Sequence, residues 1–201
     1  PFQPNIVFEQ RFGDCKDKSL LMTHMLNAMG IEAYPVLVST TMLNTVRDFI
    51  PSPKYFDHCI VKVVDQNKKN RWYDPTISNQ GGDYRNTSIP NYKLGFVLKR
   101  NNTAFDEISF GEMTNNIDVS DEFILDEVGK GATLNITSTY YDSEADAIRN
   151  FFKNSSIKNI KRDYQKYLAN YYPSIQSTQN PSYEDNLEDN IFIIKEQYTI
   201  D

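Results

Sequence analysis

Three residues in the first half of the chain, Cys15, His58 and Asp74, are of the types that catalyse acyl transfer through a thioester. In such a set the thiolate is the nucleophile, the imidazole is the base, and the carboxylate orients the imidazole. Taken singly, each has a more ordinary explanation: a buried apolar cysteine, a strand histidine, and an aspartate that ends a strand before a proline. They form a catalytic set only if the chain brings the three side chains together.

The residues around Cys15 predict that the thiol lies in the first turn of a helix. Gly13 permits a tight bend, and Asp14 is suited to cap a helix N-terminus. Apolar residues at helical spacing follow until Gly30, which predicts a helix from Cys15 to Met29. A cysteine at this position meets free N–H groups and the positive end of the helix dipole, and both favour the thiolate.

A hairpin is predicted to join the histidine and the aspartate. A β-branched run begins at His58, a polar turn cluster follows, and the return strand ends at Asp74. If the turn centres on Gln66, His58 lies directly opposite Asp74 on one face, with Cβ atoms about 5 Å apart. The same alternation points Cys59 to the other face, which makes Cys59 a core residue and Cys15 the free thiol.

The segments next to these elements are expected to complete the first domain. The first ten residues form a lead-in segment in which Ile6, Val7 and Phe8 pack on the core. Residues 31–39 are predicted to form a strand, and Pro35 suggests that it is an edge strand or has a bulge.

Two long loops are predicted in the same domain, at 40–57 and 78–92, followed by one more strand at 94–98. The first loop leads directly into the histidine, so it is placed to wall a cleft. Tyr55 and Trp72 are the candidates for substrate-binding residues in that cleft, with ordinary packing as the alternative for both.

The fold class predicted from these patterns is α+β, with a domain boundary near residue 105. Residues 1–105 form the first domain, and residues 106–201 form a smaller, β-rich α+β domain with one or two helices. Ser143 with Asp146 resembles a capping box at the start of one helix, and Ser156 is placed to cap the other. The strands predicted in this part are 122–128, 132–141 and 191–200.

Composition excludes several classes of protein. The chain has 201 residues, a net charge of −6 and no long basic run, which argues against a nucleic-acid or anionic-membrane surface. No apolar run approaches the roughly 20 residues of a membrane span. A zinc site made of Cys15, His24, His58 and Cys59 matches no usual ligand spacing, so no metal is expected, and no cofactor motif is present.

Taken together, the motifs resemble the bacterial transglutaminase-like superfamily. The matching segments are Arg11 to Asp17 around the cysteine, the Gly30-Ile31 pair, Ser52 to His58, and Trp72 to Thr76. The resemblance covers about residues 4–99, and residues 110–201 resemble the β-rich domain that follows the core in such proteins.

The resemblance implies a papain-like core with a Cys-His-Asp catalytic triad, acting on protein or peptide amides without a cofactor. The acyl group of the thioester then passes to water, as in a cysteine protease or amidase hydrolase, or to an amine, as in a crosslinking acyltransferase. Hydrolysis is slightly favoured because water needs no acceptor site. An extracytoplasmic location, in the periplasm or at the cell surface, is also implied.

One departure from the family concerns the N-terminus. In the family, part of the catalytic lobe and a candidate oxyanion donor lie upstream of the nucleophile, whereas 14 residues precede Cys15 in this chain. Since the sequence begins at Pro1 without an initiator methionine, we expect a fragment or a processed chain whose core is partial, with the backbone N–H of Cys15 as the one assigned oxyanion donor. The alternative function is a non-catalytic binding or scaffold module of the cell envelope.

Overall fold

The computed structural model describes residues 1–84, 87–109 and 116–201, and it has the expected α+β fold. The chain divides into two compact units. The first comprises Pro1–Ser78 and Ser88–Glu112, and the second comprises Asn79–Thr87 and Met113–Asp201. This division differs from a single boundary near residue 105, because a short segment of the long loop that follows Asp74 belongs to the second unit.

The first unit contains two helices and a five-stranded antiparallel sheet. The elements are α1 (Pro4–Gln10), α2 (Cys15–Ala28), β1 (Ala33–Val38), β2 (His58–Val64), β3 (Asn70–Tyr73), β4 (Leu94–Val97) and β5 (Asp106–Glu107). The strand order in the sheet is β3-β2-β1-β4-β5, and each strand runs antiparallel to its neighbours. Two short 3₁₀ helices, Leu43–Asp48 and Pro53–Tyr55, lie in the loop before His58.

The lead-in segment is helical, and its contribution to the core is smaller than expected. Pro4 is placed at the start of α1, where a missing N–H costs nothing. Val7 is buried, whereas Ile6 and Phe8 are exposed. The expectation that all three apolar residues pack on the core is wrong, because a helix of seven residues turns only one of them inward.

Pro35 lies in the central strand of the sheet and not at an edge, which corrects the expectation from sequence. Alternate residues of β1 face β2 and β4, and Pro35 faces the β4 side, where its carbonyl accepts a hydrogen bond from Leu98 N at 2.9 Å. Because β4 ends at Val97, the missing proline N–H falls at the end of that ladder. The pairing with β2 is therefore uninterrupted.

The hairpin forms with a register two residues away from the predicted one. Val64 pairs with Asn70, so the loop is 65–69 and centres on Asn67 instead of Gln66. Asp65 sets this length, since its Oδ1 accepts from Asn67 N and Lys69 N, both at 2.9 Å. A shift of two preserves the face of every side chain, so the histidine and the aspartate still point the same way as diagonal neighbours.

The two faces of this sheet have separate cores. On one face, Val36, Ile60 and Trp72 belong to a buried apolar cluster that also contains Tyr92. On the other face, Val61 belongs to a cluster that packs against α2. The sheet therefore holds α2 on one side and the His58–Asp74 face on the other.

The second unit contains a second sheet and two helices. The elements are β6 (Ile117–Leu125), β7 (Ala132–Tyr141), α3 (Asp142–Asn154), α4 (Ile157–Leu168), β8 (Gln176–Ser177), β9 (Ser182–Asn186) and β10 (Ile191–Ile200). The strand order is β6-β7-β10-β8, and β9 also pairs with β10. The strands expected at 132–141 and 191–200 are present with those bounds, whereas the one expected at 122–128 lies earlier, at 117–125.

Of the two helix caps predicted in this unit, one forms. Ser156 caps α4 as expected, and its side chain accepts from Asn159 N. The capping box of Ser143 and Asp146 is not formed, because α3 begins after Tyr141, which makes no side-chain cap. Asp146 is instead buried, with its carboxylate bound to groups other than the helix N-terminus.

Candidate functional site

Asp74 is a buried carboxylate that accepts four hydrogen bonds. Its Oδ2 accepts from His58 Nε2 at 2.7 Å and from the Tyr92 hydroxyl at 2.8 Å. Its Oδ1 accepts from Thr76 N at 2.9 Å and from Thr76 Oγ1 at 2.6 Å. The carboxylate is thus fixed in orientation, and one of its four donors is a titratable ring.

These bonds keep Asp74 ionised despite its burial. Burial alone raises the pKa of a carboxyl group, because the charged form loses its hydration. The hydrogen bonds from His58, Thr76 and Tyr92 outweigh burial, so the pKa of Asp74 lies below its ordinary value. The His58 ring therefore meets a negative charge on its Nε2 side.

Tyr92 completes the support of the pair. Its ring lies 5.6 Å from the His58 ring, measured between centroids, and its side chain is buried. Burial, and next the Asp74 carboxylate, raise the pKa of the Tyr92 hydroxyl well above its usual value, so the group remains a donor.

Cys15 occupies the first position of α2, as predicted. Asp14 and Asp17 form a capping box: Asp14 Oδ1 accepts from Asp17 N at 3.0 Å, and Asp17 Oδ2 accepts from Asp14 N at 3.1 Å. The charge of Asp14 is offset by Lys16, whose Nζ lies 3.0 Å from Asp14 Oδ2. The thiol itself is partly exposed.

Gly13 is needed for a different reason from the one expected. Its φ is not in the left-handed region, so the backbone bend does not demand glycine. A Cβ at this position would lie 2.7 Å from the Asp17 Cβ and 3.1 Å from Val7 Cγ1. Glycine therefore makes room for the folded-back Asp17 of the capping box.

The start of α2 lies beside the start of β2. Ser19, one turn after Cys15, is fully buried and donates from Oγ to the carbonyl of Cys59 at 2.8 Å. Cys15 is therefore about 6 Å along the helix axis from a residue that touches the neighbour of His58. Across the described ranges, no hydrogen bond joins Cys15 Sγ to the His58 ring.

One backbone donor of the first turn of α2 remains available. Lys16 N and Asp17 N both donate to Asp14 Oδ1, while Lys18 N donates to the Asp14 carbonyl. In the part of the chain that the structure describes, Cys15 N has no such partner. Its N–H is thus placed to donate to the oxygen of a carbonyl group whose carbon is attacked by the sulfur.

Cys59 is a core residue and, unlike Cys15, is enclosed. It is 3% exposed, and burial raises the pKa of its thiol. Its Sγ lies 3.9 Å from the Ile60 carbonyl. The chain therefore offers one accessible and one enclosed thiol.

The two candidate substrate-binding residues lie in different environments. Trp72 is 6% exposed and packs in the apolar cluster, and its Nε1 is buried with no hydrogen-bond partner among the described residues. Tyr55 is half-buried and contacts Phe49, with ring centroids 5.4 Å apart. Phe49 and the neighbouring Ile50 are exposed, at 50% and 84%.

The zinc alternative gains no support. His24 is exposed, and its Nδ1 bonds the Leu20 carbonyl one turn earlier in α2. Among the described residues, no group of three or more histidine, cysteine, aspartate and glutamate side chains is arranged to hold a metal ion. In the same residues, no helix has both the length and the apolar character that crossing a bilayer requires.

Sequence reasoning missed the supporting residues of the site. The turn signals place Tyr92 in a loop, and its bond to Asp74 depends on β4 lying beside β1, a long-range pairing without a local signal. Asp17 and Thr76 are part of the matched motifs, but no local pattern assigns a role to Thr76. For Asp17 a usable signal exists, since an aspartate three residues after an N-cap aspartate is typical of a capping box.

Comparison of the chain with protein-family models, with curated proteins and with solved structures found no match in any of the three.

Proposed function

We propose that the first unit catalyses cysteine-dependent acyl transfer on protein or peptide amides, with Cys15 as nucleophile, His58 as base and Asp74 as orienting carboxylate. The observation that carries the proposal is the 2.7 Å hydrogen bond between His58 Nε2 and a buried, ionised Asp74. His58 is the first residue of β2, whose start lies beside the start of α2. The motif resemblance to transglutaminase-like proteins with a papain-like core supports the same assignment.

The hydrogen bond determines which nitrogen of His58 can act as the base. Asp74 Oδ2 accepts the Nε2 proton, so the neutral ring carries its lone pair on Nδ1. Nδ1 then takes the proton of Cys15 Sγ, and Asp74 stabilises the imidazolium that results. The helix N-terminus favours the negative charge on the sulfur.

Attack of the thiolate on an amide carbonyl produces an oxyanion, which the free N–H of Cys15 is placed to stabilise. The imidazolium donates its proton to the leaving amine or ammonia, and a thioester remains. Water or a second amine then takes the acyl group, with His58 again as the base. Catalytic contacts are often longer in a free enzyme than in its substrate complex, which is compatible with the lack, among the described residues, of a hydrogen bond between Cys15 Sγ and the His58 ring.

The test is the pH dependence of alkylation at the two cysteines, followed by mass spectrometry in the unmodified chain and in His58→Ala. We expect Cys15 to react with iodoacetamide at pH 6, where a free thiol is less than about 1% ionised. In His58→Ala that reactivity falls to the level of a free thiol. Cys59 stays inert in both, since it is enclosed.

A Cys15 that reacts as a free thiol near pH 8.5 and ignores His58→Ala would contradict the proposal. If the pair is present, a glutamine-containing peptide with and without a primary amine then separates hydrolysis from amine incorporation. Ammonia release without amine incorporation would identify a hydrolase.

The second candidate function is a non-catalytic binding module. The observation that favours it is the absence, among the described residues, of a hydrogen bond between Cys15 Sγ and the His58 ring. This function leads if Cys15 shows no enhanced reactivity at pH 6 in the folded chain.

A further inference from the structure

The second unit has an unusual edge strand. Among the described residues, β6 is the outermost strand of its sheet and pairs with β7 alone, in an antiparallel register from Ile117↔Tyr140 to Leu125↔Ala132. All nine of its residues are exposed, whereas β7 and β10 both carry fully buried side chains. A long, flat, exposed edge is a template for another strand, and proteins usually block such edges.

The backbone of β6 presents a regular set of unused donors and acceptors. Tyr141 N bonds the Asn116 carbonyl, and Asp126 N bonds the Gly131 carbonyl, so the even-numbered residues face β7. The odd-numbered residues from 117 to 125 therefore direct their N–H and C=O groups away from the sheet. No proline interrupts this outward row.

The same odd-numbered residues carry an apolar row on the core side of the sheet. Phe123 contacts Tyr172 with ring centroids 5.9 Å apart, and Phe123 pairs with the buried Leu134. Val119 and Leu125, on the same face, are nevertheless 60% and 76% exposed. The apolar face of this sheet thus extends to its edge strand, β6, where Val119 and Leu125 are not covered by other residues.

The charges on β6 define the partner. Asp118, Asp121 and Glu122 form no ion pair with a lysine or arginine among the residues that the structure describes. These three carboxylates give β6 negative charge along its length, since the strand carries no lysine or arginine of its own. A strand with lysine or arginine side chains would neutralise it.

A second copy of β6 is a poor occupant for the same reason. Antiparallel pairing over the full length places Asp121 opposite Asp121 of the copy. A shift in one direction places Asp118 opposite Glu122, and a shift in the other places Glu122 opposite its own copy. Like charges directly opposite each other destabilise a strand pair.

We propose that the β6 edge binds an extended, basic peptide segment as an additional antiparallel strand. The segment lays apolar side chains along the row of Val119, Phe123 and Leu125 and places lysine or arginine opposite Asp118, Asp121 and Glu122. Main-chain hydrogen bonds supply affinity, and the alternation of side chains supplies selectivity. This site belongs to the second unit and does not depend on the acyl-transfer function.

The probe is a synthetic peptide of the same length as β6, with capped ends, that alternates valine and lysine and has lysine also at its centre. We expect saturable binding to the full chain, measured by calorimetry, and weaker binding as salt rises. A peptide with glutamate in place of lysine should not bind. N-methylation of the probe at alternate residues should abolish binding, because it removes the edge hydrogen bonds.

Val119→Pro tests the edge directly, since its N–H points outward and takes no part in the β7 ladder. Binding should weaken about tenfold or more, while amide exchange in β7 stays slow. If this variant disturbs β6, Asp121→Lys is the second test and should weaken binding of the lysine probe.

Several results would overturn the proposal. They are no binding by the lysine probe, equal binding by the glutamate probe, and binding that survives both Val119→Pro and N-methylation. Concentration-dependent dimerisation that Val119→Pro abolishes would assign the edge to a second copy instead.

Discussion

In each of the two units a buried aspartate accepts several hydrogen bonds, Asp74 in the first and Asp146 in the second, and the two differ in their partners. In the first unit, Asp74 binds His58, Tyr92 and Thr76. In the second, Asp146 Oδ1 accepts from Arg149 Nη1 at 2.9 Å and from Gly81 N at 2.8 Å.

The Arg149 network is closed to solvent, and Nη2 of its guanidinium is buried with no hydrogen-bond partner among the described residues. The guanidinium is 1% exposed, and its Nε bonds Asp185 Oδ1 at 2.8 Å, while Nη1 also reaches the Asn79 carbonyl and Asn190 Oδ1, each at 3.1 Å. An arginine stays charged at every accessible pH. This network therefore holds residues 79–81 against α3 through a cation that does not titrate.

The Asp74 network is open at one end. The His58 side chain is 15% exposed, and an imidazole ring can both accept and donate a proton, so this end of the network can act as an acid or a base. Burial of a carboxylate and a shift of its pKa therefore do not by themselves identify a functional site. A partner that is both titratable and accessible makes the difference.

The largest expected effect concerns the closed network. Arg149→Met should lower the free energy of unfolding of the second unit by about 3–5 kcal/mol, because Asp146 is left buried without a cation. Urea denaturation, with fluorescence and circular dichroism, measures this loss. Arg162→Met removes an exposed pair with Asp163 and should have little effect. Equal losses in the two variants would show that the Arg149 network is not a structural anchor.

A change in the open network should alter the reactivity of the Cys15 thiol. Asp74→Asn can donate its amide N–H to Nε2, which leaves the ring proton on Nδ1 and removes the base that faces Cys15. We expect alkylation of Cys15 at pH 6 to slow by about 10²-fold, the difference between an ionised and a free thiol at that pH. The matched control is Asp57→Asn, since the charge of Asp57 also acts on His58, whereas its hydrogen bonds, at 2.8 Å, go to Thr40 and not to the ring. A rate unchanged in Asp74→Asn would remove this aspartate from the mechanism.

Local sequence patterns predict the elements that carry the site residues better than they predict the contacts between those residues. The helix start at Cys15 and the shared face of His58 and Asp74 follow from local signals: a cap, a helical apolar pattern and a period of two. The hairpin register does not follow, because the loop length is set by the side chain of Asp65, which bonds across it. A period-two pattern determines the face and not the exact partner.

Contacts between distant segments cannot be predicted in the same way. Tyr92 reaches Asp74 because β4 pairs with the far side of β1. The bond between Gly81 and Asp146 joins segments 65 residues apart and moves a piece of loop into the second unit. Neither contact leaves a periodicity or a motif in the sequence. The local pattern therefore predicts a helix cap from Ser143 and Asp146, whereas Asp146 binds Gly81 and Arg149 instead.

Tyr92→Phe tests the contribution of a single hydrogen bond in the open network. The variant keeps the ring against His58 and removes one of the four hydrogen bonds to Asp74. We expect the free energy of unfolding to fall by about 1.5 kcal/mol, with less than a tenfold change in Cys15 alkylation. Tyr34→Phe is the control, because its hydroxyl also donates to a carboxylate, at 2.8 Å, but at an exposed site. A loss of reactivity as large as in Asp74→Asn would make the hydroxyl itself essential to the base.

The smallest effect, and the one that separates the two carboxylates by sign, is the pH dependence of stability. The pKa of Asp74 is lowered in the folded state, so its contribution is complete above about pH 4 and is lost as the pH falls through the folded value. Burial, outweighing the bonds from Gly81 and Arg149, raises the pKa of Asp146, so its contribution is present below about pH 4 and is lost as the pH rises. Urea denaturation at pH 7 and pH 3 should therefore show the cost of Asp74→Asn shrinking at low pH and that of Asp146→Asn growing. The same sign for both variants would mean that the two carboxylates do not differ in the way their partners indicate.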